Sequence, residues 1–559
     1  MRVLVMLLGL LLAGCAQIPS SGPVEEVPMP AEPPGIDIAP QPPQEGADGN
    51  RILEGFLLAM ADPESDYSVA RQYLTADAAR TWRPEESTVV YHGAVVETLT
   101  GFGVYGERVG ELDHRGHFLA GGGAIQHDFG LVETDGEWRV GNPPAGVLVN
   151  RYLFERFYSQ LTIYFMDRTG SHVVPDLVSV PESLVSPARI VDALLHGPSQ
   201  PLAGAVVNAI PVGVRLGLEG ATIDDEGVVT VDLRGLNPSM SDEARRRMGA
   251  QTLWSLTAIP RVTGLRITQD GNAFDLPGQS ADGVLELATQ QGYQMLTRAV
   301  VQDLFGVSAE TPGRFTEGQG FAPLRADLPR AAEVSIPLDG SQLAIVAADR
   351  RSVLIGPRDG SLEVVTGYQR IRDTQFVLGR LFALADDEEG NTRVISVGPG
   401  GDVSEVTAEL PEGMRFHGLS IDQTGVSAAV VVEVGEETRL GRMTLFQGVR
   451  LDKWRELPVL SPGGAPVTAI TDVQWNSEST LVLAGSADGQ QDVFVVRADG
   501  SEIEELGGVG ANITQVAALP RPGGGLIALR SGSGEVWRYS SPNRWSKADV
   551  TVASISYAG

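Results

Sequence analysis

The last third of the chain repeats, and that repeat restricts its fold more than any other feature of the sequence. Five purely apolar runs begin at Leu343, Leu381, Ala428, Leu481 and Leu526, which are 38, 47, 53 and 45 residues apart. A second plan recurs behind them: an apolar strand, a tight turn and another strand. It is clearest around Asp359-Gly360-Ser361 and Asp499-Gly500-Ser501, with looser copies at 394–402 and 536–539. One such unit cannot bury its own apolar face, so neighbours must stack, and ~40–50 residues per unit is the spacing of propeller blades. Unbroken apolar strands are expected near the axis of such a ring, where strands are covered on both faces. Five blades are visible over 286–559. The strand-like stretch at 294–305 and the tail at 550–557 predict a sixth, closed by joining the two ends of the ring.

The other end of the chain says where this ring works. Residues 3–12 are an unbroken apolar run behind Arg2, the length of a signal-peptide core and too short to span a bilayer. Leu12-Ala13-Gly14-Cys15 follows, and Cys15 is the only cysteine of the chain. An aliphatic residue, two small residues and then Cys is the lipobox pattern: small residues admit the peptidase, and the thiol takes the lipid. An ordinary cleaved signal with a chance cysteine is the bland alternative. The pattern predicts a signal peptide over 1–14 and lipidation, with palmitate or a similar chain, at Cys15. Several acyl chains hold a protein durably at a membrane. The location expected is the extracytoplasmic side of the cell membrane, with no disulfide to help the fold. Residues 16–45 contain nine prolines and no basic residue, a semi-rigid spacer within a lipid-anchored linker over 15–45.

Composition narrows the function classes. The 559 residues leave room for three or four domains, and 42% hydrophobic with 20% charged residues suits globular cores. A net charge of −29 without basic clusters argues against nucleic acid. Only Lys453 and Lys547 are lysines.

Between linker and ring lie two further domains. From Arg51, Ile52, Phe56, Ala59 and Met60 share a helical face, and a second helix is expected over 68–74. Short strands follow at 88–91, 95–99 and 118–128. A hairpin turns at Asp135-Gly136 before Trp138-Arg139-Val140. Helices followed by antiparallel strands predict an α+β domain over 46–150, of the cone-shaped kind typified by nuclear transport factor 2. His114, His117 and His127 are candidate metal ligands on proximity alone. Without acidic or cysteine partners at ligand spacing they read as loop and strand-surface histidines. Over 151–285, a helix at 146–157 leads into a buried strand at 161–166. Ser186-Pro187 opens a helix that stops at Gly197-Pro198. A strand at 228–233, a helix from Ser241 to Ile259 and a strand at 262–269 complete one mixed layer covered by helices.

Leu161-Thr-Ile-Tyr-Phe165, Leu194-Leu-His-Gly-Pro198, Ile210-Pro211, Val231-Asp-Leu233 and Gln251-Thr-Leu-Trp-Ser-Leu-Thr257 resemble the GerMN domain of spore-germination and cell-envelope proteins. The fold class expected is therefore multidomain, α+β and all-β: a nuclear-transport-factor-like domain, a GerMN α/β domain and a C-terminal β-propeller of about six blades. A lipobox followed by these three parts resembles the LpqB family of actinobacterial lipoproteins. That resemblance implies an anchored, non-enzymatic accessory of a two-component system. Such a protein would contact the extracytoplasmic domain of an Mtr-type sensor histidine kinase and affect envelope homeostasis and division.

No catalytic constellation stands out. There is no Gly-x-Ser-x-Gly, Ser-x-x-Lys or His-Glu-x-x-His, and the two triple-glycine runs lack the Lys-Ser/Thr of a phosphate loop. Asp224-Asp225-Glu226-Gly227 and 386–391 read as hairpin tips in preference to Ca²⁺ loops. Asp232 reads as structural, with no second carboxylate fixed near it. No catalytic residue, metal or cofactor is assigned. A cell-wall saccharide-binding or peptidoglycan-modifying protein remains the alternative, and wall glycan a second candidate partner. The candidate protein contact is the connection at 448–466, which gathers Arg450, Lys453, Trp454 and Arg455 in an acidic chain. Trp and Arg dominate interface energetics, whereas the plainer reading has Trp454 capping a blade edge.

Overall fold

In the computed structural model the described residues are 40–559, apart from 99–100, 299–300, 317–319 and 541–543. The expected signal peptide, the lipidation candidate Cys15 and most of the expected linker lie outside them. Residues 42–559 form one unit.

The N-terminal domain starts with the helix Gly49–Met60, where Asp48 accepts a hydrogen bond from the Arg51 amide. Ile52, Phe56, Ala59 and Met60 are all buried, as their spacing predicts. The second helix is shorter than expected, Ser68–Gln72, and a third, Ala76–Thr81, follows the N-cap Thr75. The sheet is built on two long antiparallel strands, Thr88–Thr98 and Gly101–Leu112. The second of these escapes a sequence reading because glycine interrupts it four times. Two of the glycines have a steric role. A Cβ on Gly106 would stand 2.2 Å from the His92 carbonyl oxygen, and one on Gly93 would stand 2.3 Å from that of Tyr105. The two backbones therefore approach more closely there than side chains permit. The hairpin turns at Asp135 and Gly136, both at positive φ, as expected. The helix expected over 146–157 is half strand: Val147–Asn150 pairs in parallel with the first long strand, and Asn150 then caps the helix Arg151–Phe157. Val147, Leu148 and Val149 suit a buried strand better than a first helical turn.

The second domain has two sheets where one mixed layer was expected. Tyr158–Asp167 pairs with Val173–Pro181, while Val228–Arg234 lies between Arg215–Ile223 and the parallel Gly264–Gln269. The helices Pro187–His196 and Asp242–Leu256 are capped by Ser186 and Ser241. Ile163, Phe165, Val191, Leu194, Val231, Leu253 and Leu265 join both sheets and both helices in one core.

The propeller has six blades. Five are consecutive four-stranded meanders whose first strands are Ala331–Ser335, Arg370–Val377, Arg415–Ile421, Thr468–Trp475 and Ile513–Leu519. The remaining blade takes Phe305–Ser308, Thr311–Phe315 and Phe321–Pro323 from the start of the ring and Ser554–Ser556 from its end. Closure by the two ends is thus as expected, although among the described residues of 294–305 only Phe305 belongs to the blade. We number that closing blade 1 and the others 2 to 6.

The apolar repeats are not the strands at the axis. Gln342–Ala347, Arg380–Asp386, Ser427–Val434, Thr480–Ala487 and Leu526–Ser531 are each second from it. Both of their faces meet neighbouring blades, which is why they read as unbroken apolar runs. The first strands face an open axis with one edge and carry polar side chains instead. Those side chains stitch each blade to the next all the way round. Ser556 Oγ donates to the Val334 oxygen at 2.6 Å, and Ser335 Oγ to the Thr374 oxygen at 2.8 Å. Gln375 exchanges two bonds with the Ile421 backbone, and the Trp475 amide donates to Ser420 Oγ at 3.2 Å. Val516 N–H donates to Asp472 Oδ2 at 2.8 Å, and Gln515 exchanges two bonds with Ile555. Sequential hairpins alone leave a ring free to open; these bonds and the shared blade 1 remove that freedom.

Candidate functional sites

Two places gather buried charge. The first is the joint where the three domains meet. His117, expected at a surface, is 5% exposed there, so burial has to be offset by partners. Its Nδ1 lies 3.2 Å from Asp113 Oδ2 in its own domain, and its Nε2 lies 3.6 Å from Asp176 Oδ2 in the second domain. Burial alone lowers the pKa of this imidazole. The hydrogen bond to Asp113 and the charges of both carboxylates outweigh that and push it up to about 9. Asp113 is brought down to about 2, burial being outweighed by the bonds from His117 and Arg115. From the propeller comes Arg442, which donates to the Ala498 oxygen at 3.1 Å and to Ser427 Oγ at 3.2 Å. Its burial lowers its pKa, and the charges of Asp499, Asp176 and Asp422 counter that. These groups enclose a cavity of about 60 Å³.

Direct bonds extend the joint in both directions. Arg151, at the head of its helix, donates to the Leu460 and Ser461 oxygens of the propeller, both at 3.1 Å. His172 Nε2 lies 3.0 Å from the Thr424 oxygen, and Arg497 donates to the Leu161 oxygen at 2.9 Å. The Ser179 amide donates to the Gly116 oxygen at 2.7 Å. Leu177 of the second domain packs among propeller residues that include Leu440, Leu457 and Trp475.

The candidate contact patch lies at this joint. Residues 450–456 are not the irregular connection expected but a strand, Arg450–Glu456, the outermost of blade 4. It is held on both edges, by Glu437–Phe446 and in parallel by Val403–Ala408 of blade 3. Lys453, at a left-handed φ of 58°, turns its ammonium onto the second domain. There it donates to the oxygens of Gln200, Pro201 and Ala203 at 2.9, 3.2 and 2.7 Å. Trp454 lies flat against Gly441, where a Cβ would stand 2.3 Å from its ring, the blade-edge packing of the plainer reading. Arg450 stacks on Phe446 at 4.8 Å and pairs with Asp452, and it and Arg455 remain exposed.

The remaining singled-out residues have local roles. His127 Nε2 meets the Asn142 oxygen at 2.9 Å, and His114 sits beside Arg115 Nε. Asp232 accepts from the Gly271 amide and Thr268 Oγ1, both at 2.9 Å, and the Gly271 bond is the main reason its carboxyl is lowered. Asp224 and Asp387 accept from amides of their own hairpin tips.

The second place is the propeller axis, a cavity of about 480 Å³ lined by all six first strands. Its far end is closed by the tail: Tyr557 and Ala558 are buried, and the Gly559 amide donates to the Ile336 oxygen at 2.9 Å. At the near end five of the first strands carry a β-bulge, between residues 331 and 333, 372 and 375, 416 and 418, 468 and 472, and 513 and 515. A bulge re-aims a side chain, and these turn Asp373, Thr374, His417, Thr471 and Thr514 to the lining. Asp373 adopts a left-handed φ of 53°. Burial, then the charge of Glu333, raises its carboxyl to about 6; burial and the charge of Asp373 raise Asp472 further. Facing them are Arg350, ion-paired with Glu333, and Arg372, 3.0 Å from Asp386. His417 Nδ1 lies 2.9 Å from Glu433 Oε1. The bulges break the alternation by which strands are read from sequence, so the lining was not foreseen. The one usable signal was the polar residues within 370–375, 415–420 and 468–474, ahead of three of the apolar runs.

Known proteins align with this architecture part by part. Family models match in chain order: the N-terminal domain of Lipoprotein LpqB at 42–155, a sporulation and spore germination domain (Germane) at 162–275, and the Lipoprotein LpqB beta-propeller domain at 311–554. Lipoprotein LpqB of Cutibacterium acnes is 29% identical over 98% of this chain and 97% of its own. Lipoprotein LpqB of Thermobifida fusca is 28% identical over 87% of this chain and 79% of its own. Among solved structures, TolB from Acinetobacter baumannii is similar at 14% identity, 55% of this chain, 85% of that one and a TM-score of 0.35. The two LpqB models together cover more than half of the residues, in the order the three domains are built: the chain belongs to the LpqB family of lipoproteins.

Proposed function

We propose that this protein is anchored through Cys15 to the outer side of the cell membrane. There it acts without catalysis as an accessory of an Mtr-type two-component sensor kinase in envelope homeostasis and division. The observation that carries this reading is the joint. Charged and backbone bonds from all three domains meet there, so the propeller is presented to a partner in a fixed attitude to the domain next to the anchor. Buried carboxylates also support a binding role, because their oxygens serve backbone amides. Asp422 accepts from the Val426 and Ser427 amides, and Asp472 from those of Val473 and Val516.

The experiment is capture of the kinase's extracytoplasmic domain by the full-length lipoprotein in cross-linked membranes. Saturable capture, lost when Cys15→Ser releases the protein from the membrane and restored by high concentrations of the released form, is expected. Absence of capture by the anchored protein overturns the proposal.

A further inference from the structure

The cavity at the propeller axis is polar, lies against the C-terminal tail at one end and carries charged side chains of both signs. Blades 6, 1 and 2 form one side. There Arg530 of blade 6 donates through Nε to the Val552 oxygen at 2.8 Å and through Nη1 to Thr514 Oγ1 at 2.9 Å. Its Nη2 has no partner among the described residues. Arg350 of blade 2 is near enough for its charge to disfavour the Arg530 cation, after burial. Between them, in blade 1, Ser554 lines the cavity, is 4% exposed, and keeps its Oγ without a hydrogen-bond partner. A guanidinium with a free donor and an unsatisfied hydroxyl on the same side of the cavity can receive a carboxylate.

Blades 3 and 5 supply the opposite side, flanking blade 4, which faces blade 1 across a six-bladed ring. Asp373 and Asp472 stand there, near enough for the charge of Asp373 to raise the Asp472 carboxyl, with Arg372 and His417 beside Asp373. Glu333, the remaining acid near them, is held by Arg350 and by Thr374 Oγ1. Two carboxyls crowded in this way gain from a cation placed between them. A molecule bearing both charges can meet both sides at once. The volume of about 480 Å³ falls in the ~300–1,000 Å³ range of small-molecule sites.

The geometry points to the propeller axis as a binding site for a small zwitterion, an amino acid or dipeptide with its carboxylate at Arg530 and Ser554 and its ammonium at Asp373 and Asp472. The site is independent of the kinase contact, since its residues lie in the ring interior and not at the joint.

Calorimetric titration of the full-length lipoprotein in detergent tests this, with alanylalanine and diaminopimelate as zwitterions. N-acetylalanine and alaninamide each keep one charge only. Saturable binding of at least one zwitterion, with both single-charge analogues at least tenfold weaker, is expected. Arg530→Gln and Asp373→Asn should each weaken binding at least tenfold without moving the melting temperature by more than a few degrees. Should Arg530→Gln fail to fold, Ser554→Ala, which removes only an unpartnered hydroxyl, should still weaken binding severalfold. No saturable binding by either zwitterion, equal affinity for a single-charge analogue, or full affinity in folded Asp373→Asn overturns the assignment. Kinase-domain capture by these variants should be unchanged, which separates failure here from failure of the accessory role.

Discussion

At the joint, cations and carboxylates from three domains close around about 60 Å³, whereas at the propeller axis charged side chains from several blades face about 480 Å³ of space. Both places remove charge from bulk water, which is costly unless partners are supplied. In the joint one partner is shared between domains: His117 of the first domain and Arg442 of the propeller both face Asp176 of the second. Burial there specifies which surfaces meet, and its charges face groups of opposite sign only when all three domains are in place. At the axis the pairs are local, as in Arg350 with Glu333 and His417 with Glu433, and among the described residues no ion pair holds Asp373 or Asp472, which accept backbone amides instead. Buried charge thus closes one region and leaves the other receptive.

The comparison is broken most severely by removing a joint cation. Arg442→Met should cost about 3–5 kcal/mol in denaturant unfolding, because Asp176, Asp422 and Asp499 then lose the charge that offsets their burial. A loss below about 1 kcal/mol would show that the joint does not depend on this charge. His117 gives the next effect, and its sign is fixed by its shift. The folded pKa of about 9 lies above the 6.5 of a free imidazole, so its stabilisation is whole below pH 6.5 and is lost as pH rises through 9. Stability should fall by up to about 3 kcal/mol between those limits, and His117→Gln should flatten that part of the curve. A native curve that is flat from pH 6.5 to 9 contradicts the pairing. Lys453→Met keeps the apolar stem but removes three bonds to carbonyls at residues 200–203, at a cost of about 1–2 kcal/mol. Hydrogen exchange at that turn should quicken, and unchanged exchange would return Lys453 to the surface.

The axis should respond least and in the opposite direction. The Asp373 carboxyl, raised to about 6, is destabilised when ionised, a cost that appears as pH rises above 3.8 and is complete above about 6. Asp373→Asn should therefore raise stability at pH 7, by less than about 1 kcal/mol after the altered bond to Leu419, and leave it unchanged or lower at pH 4. Clear destabilisation at pH 7 would make this carboxylate a structural partner like those of the joint.

Much of the architecture was legible because apolar periodicity reports burial. The second strands of the blades are covered on both faces and announce themselves, as do the Ser186 and Ser241 caps and the turn at Asp135-Gly136. What failed shares one cause: the deciding partner is remote in sequence. Gly93 and Gly106 make sense only when their strands cross. Residues 450–456 became a strand because Val403–Ala408 and Glu437–Phe446 offer it two edges. Lys453 left the surface for a turn some 250 residues earlier in the chain. His117 looked like a surface histidine because Asp176 is not near it in the sequence. At the axis, the strands that carry the lining residues belong to neither of the two repeated plans. Their bulges mix polar and apolar positions, so no alternation marks them.

The central claim, that the joint makes residues 42–559 one body, is tested most directly by scanning calorimetry of the full-length lipoprotein in detergent at pH 7. The account predicts a single coupled heat-absorption peak that Arg442→Met splits into separate transitions. Resolved transitions for the N-terminal domain and the propeller in the unaltered protein would contradict it.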